Sequence, residues 1–148
     1  MNYAKETDIT EILNIFKPYK KEVFPYLRKD TLQEKIRKNN VIFENGVVIV
    51  FGIYKKKQNI GNATAIKGDA YISEIATIEQ GSGNASEVLQ QFYKEVNTNV
   101  WLTVRSSNER ARAFYIKNEM KEVGTIAWSA GTLLGTVYKY GINYELFL

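Results

Sequence analysis

The sequence contains no cysteine and no histidine among its 148 residues. Without cysteine, disulfides, thiolate nucleophiles and sulfur-ligated metals are excluded. Without histidine, imidazole bases and most transition-metal sites are excluded as well. We therefore expect no bound metal, and any chemistry must rest on carboxylates, amines, hydroxyls, amides and backbone groups.

Long apolar runs are also missing. No stretch reaches the roughly 20 apolar residues that cross a bilayer. The amino terminus carries Asn2, Lys5, Glu6 and Asp8 instead of the apolar core of a signal peptide. We expect a cytoplasmic protein without membrane contact, folded as a single domain over residues 1–148 and present as a monomer or homodimer.

The charge is modestly positive and unevenly distributed. The net charge is +4, and 12 of the 20 Lys and Arg residues lie before residue 58, including the run Lys55-Lys56-Lys57. Such runs form either solvated surface or a contact for an anionic partner such as nucleic acid, and the sequence leaves both interpretations open.

Two helices are predicted near the amino terminus. Apolar residues at helical spacing follow Asp8, which together with Glu11 is placed as a capping box. Residues 30–38 predict a second helix, with Asp30 or Thr31 as its cap.

The middle of the chain predicts antiparallel strands. Asn45-Gly46 separates the apolar runs 41–44 and 47–54, and this dipeptide accepts the positive φ values of a tight hairpin turn. Residues 55–62 are predicted to form a polar turn.

The second half alternates strands and helices. A strand, a helix and a further strand in succession imply a parallel crossover. The predicted elements are a strand at 70–78, a helix from about residue 84, a strand at 100–105, a helix at about 107–118 and two final strands containing VGTIAW and TVYKY.

A glycine turn joins the strand at 70–78 to the helix that follows it. Its residues are Gln80, Gly81, Ser82, Gly83, Asn84 and Ala85. The first N–H groups of a helix have no internal partner and carry the positive end of the dipole, so such a turn suits an anion.

Turns of this kind bind three classes of ligand. A nucleotide P-loop requires Gly-Lys-Ser/Thr, which is not present after Gly83. A dinucleotide turn requires a third glycine where Ser86 stands, and the upstream hairpin leaves no room for a doubly wound sheet. Starting from Gln80, the turn matches the pattern Q/R-x-x-G-x-G/A, which holds the pyrophosphate of coenzyme A.

A second motif follows at the expected separation. Asn108, Ala111, Phe114-Tyr115, Lys117 and Met120 with Val123-Gly124 are similar to the run N-x-x-A-x-x-F-Y-x-K-x-G-M-x-x-V-G. With both motifs, residues 70 to about 140 resemble the GNAT superfamily of acyl-CoA-dependent N-acyltransferases. Glu119 stands where the superfamily usually has glycine.

The resemblance implies a fold and an activity. The fold is α/β, more closely α+β, with a mostly antiparallel mixed sheet, one splayed parallel strand pair and about four flanking helices. The activity is transfer of an acetyl group from acetyl-CoA, as cosubstrate, to a primary amine by direct attack in a ternary complex. The implied coenzyme contacts are Gln80, Gly81, Ser82, Gly83, Asn84, Ala85, Asn108 and Ala111.

Two residues are candidates for proton transfer. The resemblance makes Tyr115 the general acid for the leaving thiolate, whereas its helical spacing beside Phe114 also fits simple packing. Glu74 lies on the same predicted strand face as Ile72 and Ala76, and also Ile78, so desolvation would raise its pKa toward that of a general base. An ordinary solvated or ion-paired Glu74 is the alternative, and Glu79 and Asp69 are weaker candidates.

The acceptor amine has no readable motif. The segment 18–30 and the stretch Trp128 to Thr132 are candidates for lining its pocket, or for ordinary packing. The tail is also similar to small GNAT-like proteins of bacteriophages. The alternative functions are therefore a phage or prophage protein that acts on or binds nucleic acid, and a non-catalytic module that binds coenzyme A.

Overall fold

The computed structural model describes residues 1–19 and 28–141. Within these ranges the chain forms four α-helices and eight β-strands. The helices are α1 (Ile9–Phe16), α2 (Lys29–Arg37), α3 (Asn84–Val96) and α4 (Glu109–Lys117). The strands are β1 (Val41–Glu44), β2 (Val47–Ile53), β3 (Gln58–Ile60), β4 (Ala63–Ala65), β5 (Ala70–Thr77), β6 (Val100–Arg105), β7 (Lys121–Trp128) and β8 (Leu133–Tyr140).

Six strands form one mixed sheet in the order β1-β2-β5-β6-β8-β7, and β3 pairs with β4 in a separate hairpin. The pairs β1/β2, β6/β8 and β7/β8 are antiparallel. The pair β5/β6 is parallel, with its register pairs Ala70↔Val100 and Tyr71↔Trp101 at the amino ends of both strands. The predicted fold class, a mostly antiparallel mixed sheet with one parallel pair and about four helices, is confirmed.

The chain separates into two compact units. The first comprises Met1–Phe51 and Ser73–Phe92, and the second comprises Gly52–Ile72 and Tyr93–Leu148. The single-domain organisation stays a prediction.

The core of the first unit is built from α1, α2 and the strands they cover. Apolar side chains at helical spacing, including Ile12, Phe16 and Leu32, are completely buried with Val41 and Val48. The turn between β1 and β2 has positive φ at both Asn45 (50°) and Gly46 (72°), as predicted for a tight hairpin.

One core cluster of the second unit lies under the β3/β4 hairpin, where Trp101 and Val137 pack with Ile60 and Ala65. Asp69 is 2% exposed in this unit. Its carboxylate accepts hydrogen bonds from Trp101 Nε1 (2.9 Å), Asn99 Nδ2 (3.2 Å), the Ile66 amide (3.0 Å) and Thr98 Oγ1 (3.4 Å). Because these donors satisfy the buried carboxylate, Asp69 fastens the start of β5 to the start of β6.

Several local predictions were wrong. Residues 55–62 are not simply a turn, since they contain β3 and the start of the β3/β4 hairpin. The carboxylate of Asp8 accepts from the Lys5 amide (2.8 Å) and not from α1, so the predicted box with Glu11 does not form. Helix α2 begins at Lys29 with Arg28 as its N-cap, ahead of the predicted caps. Most of the segment 18–30 lies outside the described residues.

Among the residues that the structure describes, no helix is long and apolar enough to cross a membrane.

Candidate functional site

The glycine turn lies in the first unit, directly before α3. Gly81 and Gly83 have φ of 79° and 86°, a region that side chains with a Cβ rarely adopt. A Cβ placed on either glycine would meet no atom within 4 Å, so the backbone here faces open space. Gly83 accepts the first hydrogen bond of the helix from the Glu87 amide (3.1 Å).

Side chains within the first unit hold the turn in position. The Gln80 amide donates to the Tyr19 hydroxyl (2.7 Å), which donates to the Thr77 carbonyl oxygen (3.2 Å). Ser82 Oγ donates to the Glu79 carbonyl oxygen (3.0 Å) and accepts from the Asn84 amide (3.3 Å). The turn is therefore braced on both sides of its two glycines.

This geometry fits a phosphate-bearing ligand. The helix α3 has 13 residues and begins at Asn84, so the positive end of its dipole lies at the turn. The exposed glycines allow close approach of ligand oxygens to the backbone. Whether Gln80 to Ala85 hold the pyrophosphate of coenzyme A stays a prediction.

Glu74 also lies in the first unit, on β5. Along this strand Ala70, Ile72 and Ala76 are buried and Glu74 is half-buried. Ala76 packs with Val48 and Val50, the face on which the Tyr71 ring lies against Gly52, so strict alternation from Ala70 to Ala76 does not hold. Burial raises the pKa of Glu74 to about 8. Ile78 departs from the prediction, because it lies beyond the strand end and is 58% exposed.

Asn108, Ala111 and Tyr115 lie in the second unit. Asn108 is the N-cap of α4, and its Oδ1 accepts from the Ala111 amide (3.2 Å). The side chain therefore caps and orients this helix. Whether it also contacts a coenzyme stays a prediction.

Tyr115 is 8% exposed near the carboxyl end of α4 and packs against Phe114 (5.4 Å between ring centroids) and Tyr138 (5.8 Å). Its carbonyl oxygen accepts from the Met120 amide (3.1 Å), and the Glu119 amide donates to Ile116 (3.2 Å). These two bonds define a Schellman motif. The backbone of Tyr115 is therefore part of the C-terminal cap of α4, and packing holds the Tyr115 ring in place.

A polar network beside Tyr115 was not predicted. Arg112 donates to the Tyr138 hydroxyl (3.2 Å), the Ser106 carbonyl oxygen (2.9 Å) and Glu122 Oε1 (2.9 Å). The Tyr138 hydroxyl also donates to Glu122 Oε1 (2.9 Å). These hydrogen bonds lower the pKa of Glu122 and raise that of Arg112. The network fixes α4 against β8.

The other candidates occupy different places. Glu79 is exposed, and Asp69 is committed to the buried network described above. The Trp128 ring covers Gly135 and leaves no room there for a Cβ, which agrees with its interpretation as a packing residue. Within the described residues, no group of three or more His, Cys, Asp or Glu side chains is placed to hold a metal.

A shallow pocket of about 450 Å³ lies in the second unit along the outer side of α4. It contains none of the predicted site residues. Its lining residues are Glu109, Arg112, Ala113, Ile116, Lys117 and Glu122.

No protein-family model and no curated protein matches the sequence. Solved structures do match the fold. The chain is similar to smu.2055 from Streptococcus mutans UA159, with a TM-score of 0.74, 17% identity and coverage of 96% of this chain and 98% of the other. It is also similar to yncA, a putative acetyltransferase from Salmonella typhimurium with its cofactor acetyl-CoA (TM-score 0.72, 12% identity, coverage 96% and 92%).

A third similar structure has the GNAT family in its name. The acetyltransferase of GNAT family from Streptococcus pneumoniae matches with a TM-score of 0.68 at 14% identity, over 96% of this chain and 98% of the other. At such low identity the likeness concerns the fold and not the activity. The chain has the GNAT fold, as its two sequence motifs predicted.

Proposed function

We propose that this protein is an N-acyltransferase that moves an acetyl group from acetyl-CoA to a primary amine. The observation that carries the proposal is the glycine turn before α3, with Gly81 and Gly83 at positive φ and open space in front of both. Such a turn binds a pyrophosphate through backbone amides. The GNAT fold supports the same ligand.

Acetyl-CoA would supply the acyl group as a thioester, so that a C–N bond forms as the C–S bond breaks. The chain offers no cysteine or histidine, which suits direct attack by the amine without an acyl-enzyme.

Glu74 is the proposed general base. A primary amine is mostly protonated at neutral pH and must lose a proton before it attacks. A carboxylate whose pKa is raised to about 8 by burial is well matched to that task near pH 8.

Tyr115 is the proposed general acid, donating its phenolic proton to the departing thiolate. Its ring is held by Phe114 and Tyr138, and its helix is fixed by the Arg112 network. A group with little freedom to move is suited to proton transfer at a defined place.

Binding is the first test. Purified protein should bind acetyl-CoA in isothermal titration calorimetry, and Gly83→Ala should weaken binding because a side chain then occupies the ligand's approach. Gly68→Ala is the matched control, since Gly68 also has positive φ (93°) and open space but lies outside the turn. Absence of binding at millimolar acetyl-CoA, or equal loss in both variants, would refute the proposed site.

Transfer is the second test. A thiol-reactive dye reports released coenzyme A without background from the protein, because the chain has no cysteine. A panel of small amines, peptides and proteins with free amino groups should include one that accelerates thiol release. With that acceptor, Tyr115→Phe should lower kcat and leave acetyl-CoA affinity nearly unchanged. Unchanged kcat would remove the acid assignment.

A further inference from the structure

Four exposed lysines meet at the open end of the β3/β4 hairpin. Residues 55–57 connect β2 to β3, and Lys67 lies between β4 and β5. The two connections are tied together by their backbones, since the Gly68 amide donates to Tyr54 O (2.9 Å) and the Tyr54 amide donates to Asp69 O (2.9 Å). These four residues, Lys55, Lys56, Lys57 and Lys67, are called the lysine cluster below.

Nothing nearby in sequence offsets the positive charge. Residues 52–68 contain no Asp or Glu. Asp69 follows at once, but it is 2% exposed and its oxygens are bonded inside the unit. In the part of the chain that the structure describes, no ion pair joins the lysine cluster to a carboxylate. Four like charges repel one another, so an anionic partner would lower the free energy of this surface.

The same face of the sheet carries further cations. Trp101 packs under the β3/β4 hairpin and is the register partner of Lys139, which in turn is the register partner of Lys121. Register partners share a sheet face, so both lysines lie on the hairpin side. Glu122 follows Lys121 and therefore points to the opposite face, toward Arg112.

The exposed surface beside the lysine cluster is mixed, with Ile66 58% exposed next to Lys67 and polar side chains on the hairpin. Its exposed side chains include Gln58, Asn59 and Thr64, which carry amide and hydroxyl groups. Amides and hydroxyls next to lysines are typical of contacts with sugar and phosphate. A surface that enters a bilayer presents an extended apolar face, whereas Ile66 lies here among lysines, amides and hydroxyls.

We propose that the lysine cluster is a binding surface for the sugar-phosphate backbone of nucleic acid. The contacts are electrostatic and independent of base sequence. This surface does not depend on acyl transfer, and it lies in the second unit, whereas the glycine turn lies in the first.

Fluorescence anisotropy with a short labelled DNA duplex of mixed sequence tests the proposal. The protein should bind with a Kd of about 1–100 µM near physiological salt, and log K should fall linearly with log salt concentration. The cluster variant Lys55→Gln, Lys56→Gln, Lys57→Gln, Lys67→Gln should make that slope shallower by about 0.9 for each lysine that contacts a phosphate.

A matched control variant separates the effect of the lysine cluster on binding from the effect of net charge. Lys5→Gln, Lys17→Gln, Lys29→Gln and Lys94→Gln remove four exposed lysines elsewhere, so both variants lower the net charge from +4 by the same amount. The control should keep the affinity and slope of the wild type, and both variants should keep its thermal unfolding midpoint.

Three outcomes would overturn the proposal. Equal losses in both variants would show a general charge effect. An unchanged slope in the cluster variant would place the contact elsewhere. Tighter binding to phosphatidylserine vesicles than to DNA, lost in the cluster variant, would assign the surface to a membrane.

Discussion

Glu119 adopts a left-handed backbone conformation, with φ of 69°, at the end of α4. It occupies the position of a Schellman motif that favours glycine, which explains why glycine is usual there in the superfamily this sequence resembles. Helix α4 still ends in a Schellman motif, but its left-handed residue, Glu119, has a Cβ, which strains the backbone locally. A left-handed residue with a Cβ costs about 1–2 kcal/mol relative to the right-handed form.

Glu119→Gly should therefore stabilise the protein. The relieved strain exceeds the roughly 0.4–1 kcal/mol of chain entropy that a new glycine adds to the unfolded state, so the net gain should be about 0.5–1 kcal/mol. Urea denaturation measures it. Glu119→Gln removes the charge and keeps the strain, so its stability should stay near that of the wild type. An equal gain in both variants would point to charge instead of backbone strain.

Glu74 should control the pH dependence of turnover. Because burial raises its pKa to about 8, the carboxylate form increases as the pH rises through that value. With an accepted amine, kcat/KM should rise about tenfold per pH unit below pH 8 and level off above it. Glu74→Gln should remove this rise without loss of acetyl-CoA binding. A variant with the wild-type pH profile would exclude Glu74 as the base.

The stability of helix α4 depends on the hydrogen bonds that cap both of its ends. Asn108 caps the amino end through the Ala111 amide, and the Schellman motif closes the carboxyl end beside Tyr115. Both ends are needed because a helix of nine residues is too short to be stable by itself. The position of Tyr115 therefore follows from contacts at both ends of the element that carries it.

Asn108→Ala should destabilise the protein by about 1 kcal/mol, since the Ala111 amide loses its acceptor. Asn108→Ser can keep the cap and should stay close to the wild type in chemical denaturation. Acetyl-CoA titration of the serine variant then separates the two roles of Asn108. Full affinity would leave capping as its task, whereas loss of affinity at unchanged stability would indicate a contact with the coenzyme.

Strong local signals made several elements predictable. The Asn45-Gly46 turn, the start of α3 after Gly83 and the parallel β5/β6 pair all rest on backbone rules that act over a few residues or one crossover. The β3/β4 hairpin was missed because its strands have three residues each and bury little more than Ile60 and Ala65. The capping box of α1 does not form because the Asp8 carboxylate accepts from the Lys5 amide, and the cap of α2 was missed because Arg28 is not a typical cap residue.

Side-chain networks were harder to predict than elements. The direction of the Glu74 pKa shift followed from the apolar composition of its strand, because a carboxylate among buried apolar residues loses solvent. The Arg112 network joins residues from α4, β7 and β8, and the turn is braced by Tyr19 from far upstream. Such contacts depend on how the elements pack, which a periodic pattern does not specify.

In the whole molecule, the side chains that usually titrate near neutral pH are missing. The chain has no histidine and no cysteine, the side chains that ordinarily titrate there. Glu74, with its pKa raised from 4.5 to about 8, falls in this range. Glu122 has a lowered pKa, so its contribution is lost in acid, in a separate window below 4.5.

The free energy of unfolding should therefore fall as the pH rises from about 5 to 8. Between the unfolded and folded pKa values of Glu74 the native protein holds a proton that the unfolded chain has released, so stability declines by at most about 1.4 kcal/mol per pH unit. Above pH 8 the decline should level off. Urea denaturation across this range measures the slope, and Glu74→Gln should flatten it because an amide has no proton to lose. If the free energy of unfolding of the wild-type protein does not change between pH 5 and 8, Glu74 has an ordinary pKa. That result would also remove the argument for Glu74 as the general base.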